Sequence, residues 1–108
     1  MIAFAALADE TRRQIVELLG AGELAAGEIA RRFEVSAPAI SQHLRALRAA
    51  RLVRVRAEAQ RRIYALDPVG LGEIDRWLSR VRRAPHGRLD GLELKPRTAS
   101  GASRRRSR

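Results

Sequence analysis

The chain has 108 residues, the size of one domain, and a core that small is often supplemented by oligomerisation. It contains no cysteine, which excludes disulfides, thiolate catalysis and cysteine-based metal sites, and no apolar run approaches the ~18 residues of a membrane helix, so we expect a cytoplasmic protein. The net charge is +10, and residues 31–62 concentrate it with nine arginines against two acids, which favours a polyanion partner and above all nucleic acid.

The first third of the chain predicts three helices. An apolar run over residues 2–8 predicts a short first helix. Asp9 can then cap a second helix from Glu10 to Leu19, which Gly20 ends. We expect a third short helix over residues 25–33.

The middle of the chain predicts a fourth helix followed by a hairpin. Ser36 is a good N-cap for a helix that runs to about Ala50, and Pro38 falls in its first turn, where a missing N–H does no harm. Over residues 52–66 apolar residues alternate with arginine, which predicts a two-stranded hairpin. Asp67 and the proline after it stop the second strand.

The last part of the chain predicts a fifth helix and a tail. Apolar residues at helical spacing place the helix over about residues 69–83, and Pro85 interrupts it. We therefore expect one folded domain over residues 1–83. The basic extension over residues 84–108 is expected to be disordered from about residue 95, where serine, arginine, glycine and alanine dominate.

The helix that follows Ser36 has two faces of opposite character. Ile40, Leu44 and Leu47 share one side and define a buried stripe. The other side carries four short, polar or basic residues: Pro38, Ser41, Gln42 and Arg45. No acid occurs before Glu58 on this helix or the hairpin strand after it. This order of elements is typical of a winged helix-turn-helix, a mainly α fold with a small β-hairpin.

The chemistry of the outer face suits the major groove of DNA. Gln42 can bond both edge atoms of an adenine, Ser41 can donate or accept, and Arg45 can bind a guanine or a phosphate. We expect Pro38 to share in specificity, and Ser36 with the helix N-terminus to hold a phosphate. The hairpin arginines are expected to reach phosphates or the minor groove as a wing: Arg54, Arg56, Arg61 and Arg62.

His43 lies at the edge of the buried side of the same helix and leaves three readings open. It packs or bonds to the backbone, it contacts a phosphate or base and so joins the DNA-binding residues, or it serves a metal or catalytic site. Two histidines and no cysteine make a metal site hard to build. We expect no catalytic residue, no metal and no cofactor.

Four segments in sequence order resemble the ArsR family of bacterial winged-helix repressors: FAALADETRRQI at 4–15, VS at 35–36 with SQHLRAL at 41–47, ARLV at 50–53, and RIYALD at 62–67. The resemblance covers about residues 3–83. It implies a homodimeric repressor whose two recognition helices meet an inverted repeat, with the first and fifth helices forming the interface. The interface residues that it implies are apolar: Phe4, Leu7, Leu71, Ile74, Trp77, Leu78 and Val81.

The same resemblance shows where this chain departs from metal-sensing members. Their thiols fall at positions that here are Ala25 and Gly27. The last helix offers two acids but no histidine, and His86 lies beyond a proline. Residues 88–93 are similar to a branch of the family that has no recognised metal site, so we expect a regulator that does not sense metal.

An RNA-binding or architectural nucleic-acid module remains the alternative, since basic charge alone does not choose the polymer. RNA recognition usually stacks bases on aromatic side chains, and only Tyr64 among the aromatic residues lies near the basic region. An enzyme finds no support, because the sequence has no Ser/His/acid set and no glycine-rich phosphate loop. The basic cluster over 104–106 is left open between added DNA affinity and a solubilising tail.

Overall fold

The computed structural model describes residues 2–83. In this range the elements follow one another as α1 (Ile2–Ala6), α2 (Glu10–Leu19), β1 (Leu24–Ala25), α3 (Ala26–Ala30), α4 (Ala37–Ala49), β2 (Val53–Glu58), β3 (Arg61–Leu66) and α5 (Pro68–Arg82). The chain divides after Asp75 into two units, and of the second the structure describes residues 76–83. The predicted extension over 84–108, with His86 and the arginine cluster, lies outside the described residues.

Helix α2 begins and ends where the sequence predicts, because both of its boundary signals are local. An oxygen of Asp9 accepts the backbone N–H of Arg12 at 3.0 Å, which satisfies one of the free donors of the first turn. At the other end Gly20 donates its N–H to the carbonyls of Val16 and Glu17 at 3.0 and 3.1 Å. Helix α1 is two residues shorter than predicted and ends at Ala6.

The third predicted helix is wrong at both ends. Leu24 and Ala25 form a strand that pairs antiparallel with β3, so the predicted two-stranded hairpin is part of a three-stranded sheet in the order β1-β3-β2. The Glu28 side chain fixes the strand-to-helix corner, since its Oε1 accepts the Ala25 N–H at 2.7 Å. The helix ends after Ala30, where the N–H groups of Arg32 and Phe33 donate to carbonyls three residues back instead of four. A two-residue strand is too short to show alternation in the sequence.

The hairpin itself is confirmed. Strands β2 and β3 pair from Val53 opposite Leu66 to Glu58 opposite Arg61, which leaves Ala59 and Gln60 as a two-residue turn. Ala59 has a φ of 58°, in the left-handed region where such turns usually have glycine.

The core lies between the helices and one face of the sheet. Its largest fully buried side chains come from α2, α3, α4 and the start of the hairpin: Ile15, Ile29, Ile40, Leu44, Leu47, Leu52 and Val53. The predicted inner stripe of α4 is confirmed, because all three of its residues are buried. Ala3 and Ala6 of α1 complete this cluster, where small side chains let α1 approach closely.

Helix α4 ends in a Schellman turn that starts the hairpin. The Arg51 N–H donates to the Arg48 carbonyl at 2.9 Å, and the Leu52 N–H donates to the Leu47 carbonyl at 3.0 Å. Arg51 occupies the left-handed position with a φ of 60°, where glycine is usual. Leu47 and Leu52 are both fully buried, as expected for the apolar contact that accompanies this motif.

The start of α5 is docked onto this Schellman turn. The Gly70 N–H donates to the Arg51 carbonyl at 2.7 Å, and the Asp67 N–H donates to the Leu52 carbonyl at 2.9 Å. Asp67 also accepts the Val69 N–H at 3.0 Å and lies 3.5 Å from the Arg51 guanidinium. Gly70 is buried because no side chain fits there: a Cβ would lie 2.5 Å from the Arg51 oxygen.

We predict that Gly70→Ala lowers the free energy of unfolding by about 1–3 kcal/mol, since α5 must move off the turn. The control is Gly27→Ala, also in a helix, where the new Cβ would meet only Arg31 at 3.6 Å. The free energy of unfolding of that variant is expected to rise by up to about 1 kcal/mol, because alanine has a higher helix propensity than glycine. Urea unfolding of both variants checks the prediction, and equal stability of the two would contradict it.

Candidate nucleic-acid interface

The outer face of α4 is an exposed surface built by local signals. The Ser36 hydroxyl accepts the Ala39 N–H at 3.2 Å and starts the helix, with Pro38 in the first turn. All four residues predicted for this face are exposed and lie together on it: Pro38, Ser41, Gln42 and Arg45. Ser36 is exposed at the same end of the helix. The helix carries no carboxylate, so this face presents only donors, neutral groups and positive charge.

Arg48 belongs to the same face, although the sequence argument omitted it. It is exposed and follows Ser41 by seven residues and Arg45 by three, the spacing that places side chains on one side of a helix. Its place in the last turn of α4 also favours a positive charge beside the helix C-terminus. The helical spacing alone could have found it.

His43 points towards α2 and not outward with the reading face. Its Nδ1 accepts a hydrogen bond from Arg12 Nε at 3.1 Å, and its side chain is only 19% exposed. The geometry therefore agrees best with the packing role, through a side-chain bond that joins α4 to α2 across 31 residues of sequence.

Asp9, the N-cap of α2, lies next to both Arg12 and His43. The Arg12 backbone N–H that it accepts is the main cause that holds the pKa of the Asp9 carboxyl below its usual value of 3.8. Its Oδ1 lies 4.0 Å from His43 Nδ1, so a charged imidazole lowers that pKa further. The cap of α2 and the anchor of α4 thus share one carboxylate.

The four predicted wing arginines fall on two faces of the hairpin. Paired residues of antiparallel strands point to the same side, so Arg54, Arg56 and Arg61 share the face away from the core. Arg62 lies on the opposite face, together with the buried Tyr64. The structure thus places three of these arginines on one face and the fourth on the other, although Arg61 and Arg62 both border a cleft at the hairpin tip.

Two of the wing arginines are paired with acids. Arg56 lies 2.8 Å from Glu23 and 3.4 Å from Glu58, and Glu23 is the main cause that raises the pKa of the Arg56 guanidinium. Arg61 lies 3.5 Å from Glu28. Among residues 2–83 no carboxylate lies within ion-pair distance of Arg54 or Arg62. The acidic first third of the sequence therefore neutralises part of the basic hairpin in three dimensions.

Exposed apolar side chains gather on α1 and α5. Of the five large apolar side chains that are exposed within residues 2–83, four lie on these helices: Ile2, Phe4, Val69 and Trp77. Of the predicted interface residues, Phe4, Leu7, Leu71 and Ile74 belong to the first unit, while Trp77, Leu78 and Val81 belong to the second. Ile2 and Val69 were not predicted from the sequence.

Neither a metal cluster nor a membrane span is found in the described part of the chain. No three histidine or acidic side chains between residues 2 and 83 are placed to hold one metal ion. No helix in the same range is long and apolar enough to cross a bilayer.

The geometry defines a class of protein. Helix α3, a tight turn and α4 with an acid-free outer face, followed by an arginine-rich antiparallel hairpin, form a winged helix-turn-helix DNA-binding protein. The family model described as "Bacterial regulatory protein, arsR family" matches residues 9–55, which span α2 to the first half of β2. The chain belongs to this family of DNA-binding transcriptional regulators, which are not enzymes.

Known relatives agree with this assignment. The chain is 54% identical to HTH-type transcriptional regulator Rv2034 of Mycobacterium tuberculosis, over 73% of this chain and 78% of the relative. It is 37% identical to transcriptional repressor SdpR of Bacillus subtilis, over 69% and 83%. A solved homodimeric winged helix-turn-helix domain, Mb0332 of Mycobacterium bovis, is similar with a TM-score of 0.60 and 28% identity, over 91% of this chain and 85% of that one.

The pH dependence of stability tests the role of Asp9. Because its pKa is lowered on folding, its charge stabilises the folded state above pH 3.8, and this stabilisation is lost as the pH falls through the lowered value. Asp9→Asn keeps a capping oxygen but no charge. We expect the wild type to have the higher Tm near pH 7 and the difference to shrink below about pH 4. A difference independent of pH would contradict this role.

Proposed function

We propose that this protein is a homodimeric, sequence-specific repressor that binds an inverted-repeat operator through α4 and the hairpin. The single observation that carries the proposal is the exposed, acid-free outer face of α4. On a helix of ordinary surface, acids usually alternate with bases, whereas this face offers the hydrogen-bond donors that base edges and phosphates accept. Such a regulator acts in the cytoplasm, where chromosomal DNA lies.

Gln42 and Ser41 are the proposed readers of sequence. A glutamine can bond adenine N6 and N7 together, and a serine accepts or donates according to the base. Pro38 supplies apolar contact near the start of the helix. Arg45 and Arg48 extend the face with positive charge that suits guanine or the backbone.

The remaining contacts position the protein on the duplex. The Ser36 end of the 13-residue helix α4 carries free N–H groups that favour a phosphate. Arg54 and Arg62 are the wing arginines without an ion-pair partner among the described residues. We therefore assign them the strongest contacts with the DNA backbone.

The dimer follows from the apolar surface of α1 and α5. A dimer interface over α1 and α5 would bury Ile2, which is 65% exposed, and Val69, which is 48% exposed. The homodimeric relative supports the same arrangement. Two recognition helices would then meet half-sites about 34–36 Å apart on one face of the DNA. The folded dimer domain over residues 1–83 and a basic extension after it are part of this proposal.

The alternative of an RNA-binding module is less well supported. Base stacking needs exposed aromatic rings, whereas Tyr64 on the hairpin is only 7% exposed and Phe33 is partly buried against the core. Competition between duplex DNA and structured RNA for the protein distinguishes the two.

Selection of binding sites from a random DNA library tests the proposal. We expect the wild type to select an inverted repeat, and Gln42→Ala to lose about 1–3 kcal/mol of preference at one base pair in each half-site. The control is Gln14→Ala, an exposed glutamine on α2, which should select the same sequence as the wild type. Transcription in vitro from a promoter that carries the selected site should fall on addition of the protein. Unchanged preference in Gln42→Ala would refute the assigned reading residue.

The ion pair between Glu23 and Arg56 gives a second prediction. Glu23→Gln removes the shorter of the two ion pairs of Arg56, leaving the one with Glu58, and removes a carboxylate that repels DNA, so DNA affinity should rise. If Arg56 then contacts one phosphate, the plot of log K against log salt steepens by about 0.9. Glu17→Gln makes the same change of charge at an exposed position of α2 without a recorded ion pair and should leave the slope unchanged. Equal effects of the two variants would show that only net charge matters.

A further inference from the structure

A cleft of about 460 Å³ lies between α3 and the tip of the hairpin, separate from the outer face of α4. Arg31 stands on the α3 side, and Gln60, Arg61 and Arg62 stand on the hairpin side. The rest of the lining is Glu28 and three small residues: Ala25, Ala26 and Gly27. The cleft thus places arginines from two separate elements around one space.

Arg31 lies over the preceding turn of α3. Its Nη1 is 3.6 Å from the point where a Gly27 Cβ would stand, an ordinary contact distance. Among residues 2–83 Arg31 has no carboxylate within ion-pair distance. Its charge is therefore available to a ligand.

The one acid in the cleft is already engaged. The Glu28 Oε1 atom accepts the Ala25 N–H at 2.7 Å and lies 3.5 Å from Arg61. These contacts offset the negative charge that would repel an anion. Arg31 and Arg62, on opposite walls, have no ion-pair partner among the described residues, so the cleft is positive.

We infer that this cleft binds one phosphate of the DNA backbone, and that Arg31 of α3 joins the wing residues Arg61 and Arg62 in holding it. A guanidinium group can donate two parallel hydrogen bonds to the oxygens of one phosphate, and the Gln60 amide adds a donor at the turn. The cleft is open and lined by polar groups and small residues, unlike the enclosed apolar pockets that hold metabolites. The site rests on the proposed DNA-binding function and extends it to α3, which would clamp the backbone against the hairpin tip.

The test compares two neighbouring arginines in the full chain. Arg31 lines this cleft, whereas the adjacent and equally exposed Arg32 lines a separate depression with Leu18 and Glu23. DNA affinity is measured by fluorescence anisotropy between 50 and 200 mM salt. Arg31→Ala should flatten the log–log salt slope by about 0.9, so that affinity falls about 3- to 4-fold less over this range than for the wild type. Arg32→Ala should keep the wild-type slope.

A second variant tests the same space without deleting an arginine. Gly27→Glu places a carboxylate beside Arg31, where only the arginine side chain is near, and should flatten the slope as Arg31→Ala does. Because glutamate is a better helix former than glycine, α3 should not be weakened.

The outcomes separate the two proposals. A wild-type protein that binds no duplex DNA overturns both the function and the site. If the wild type binds DNA and the Arg31→Ala slope equals that of Arg32→Ala, only the cleft site is overturned. Inorganic phosphate is also titrated into DNA-free protein and followed by ³¹P NMR. Saturable binding that Arg31→Ala abolishes would reassign the cleft to a free phosphate compound and overturn the backbone assignment.

Discussion

The packing of the start of α5 onto the Schellman turn of α4 is the constraint on which both proposed DNA-binding surfaces depend. The Arg51 and Leu52 carbonyls accept N–H groups from Gly70 and Asp67 at 2.7 and 2.9 Å. Strand β2 starts immediately after this junction and β3 ends immediately before it. Helix α4 and the hairpin therefore meet at one junction, and these backbone hydrogen bonds help to set their relative orientation. The glycine at position 70 is what allows the two backbones to come so close.

Ion pairs divide the arginines of the proposed DNA interface into two groups. The outer face of α4 has no acid, so its arginines keep their full attraction for DNA. On the hairpin, by contrast, Glu23 and Glu28 compensate Arg56 and Arg61. Surface ion pairs of this kind add little stability, so their larger effect is to moderate the non-specific affinity of a strongly basic protein. A regulator that must find one site gains from weaker binding to all the others, because specificity is a ratio of affinities.

The sequence predicted the parts of this molecule that local signals determine. The caps of α2 and α4, the inner stripe of α4 and the alternation of the hairpin all lie within a few residues of the structure they cause, and each was found. Strand β1 was missed because two residues carry no periodicity and its pairing partner, β3, lies about forty residues away. The ion pair of Glu23 with Arg56 and the bond of Arg12 to His43 join residues 33 and 31 positions apart, so charge counted along the sequence overstated the separation of acids from bases in space.

Strand β2 is flanked by two residues in the left-handed region that are not glycine, Arg51 before it and Ala59 after it. Each conformation costs about 1–2 kcal/mol relative to a right-handed one. At Arg51 the cost is offset, since its backbone N–H and carbonyl are both bonded and its guanidinium lies beside Asp67. At Ala59 only the closing pair of Glu58 and Arg61 adjoins the turn. The base of the hairpin is therefore held by the junction with α5, and its tip by the pairing of Glu58 with Arg61 and by the ion pair of Arg61 with Glu28. The uncompensated left-handed Ala59 lies at the end of the hairpin that borders the proposed cleft, so a phosphate bound there would add contacts at that end.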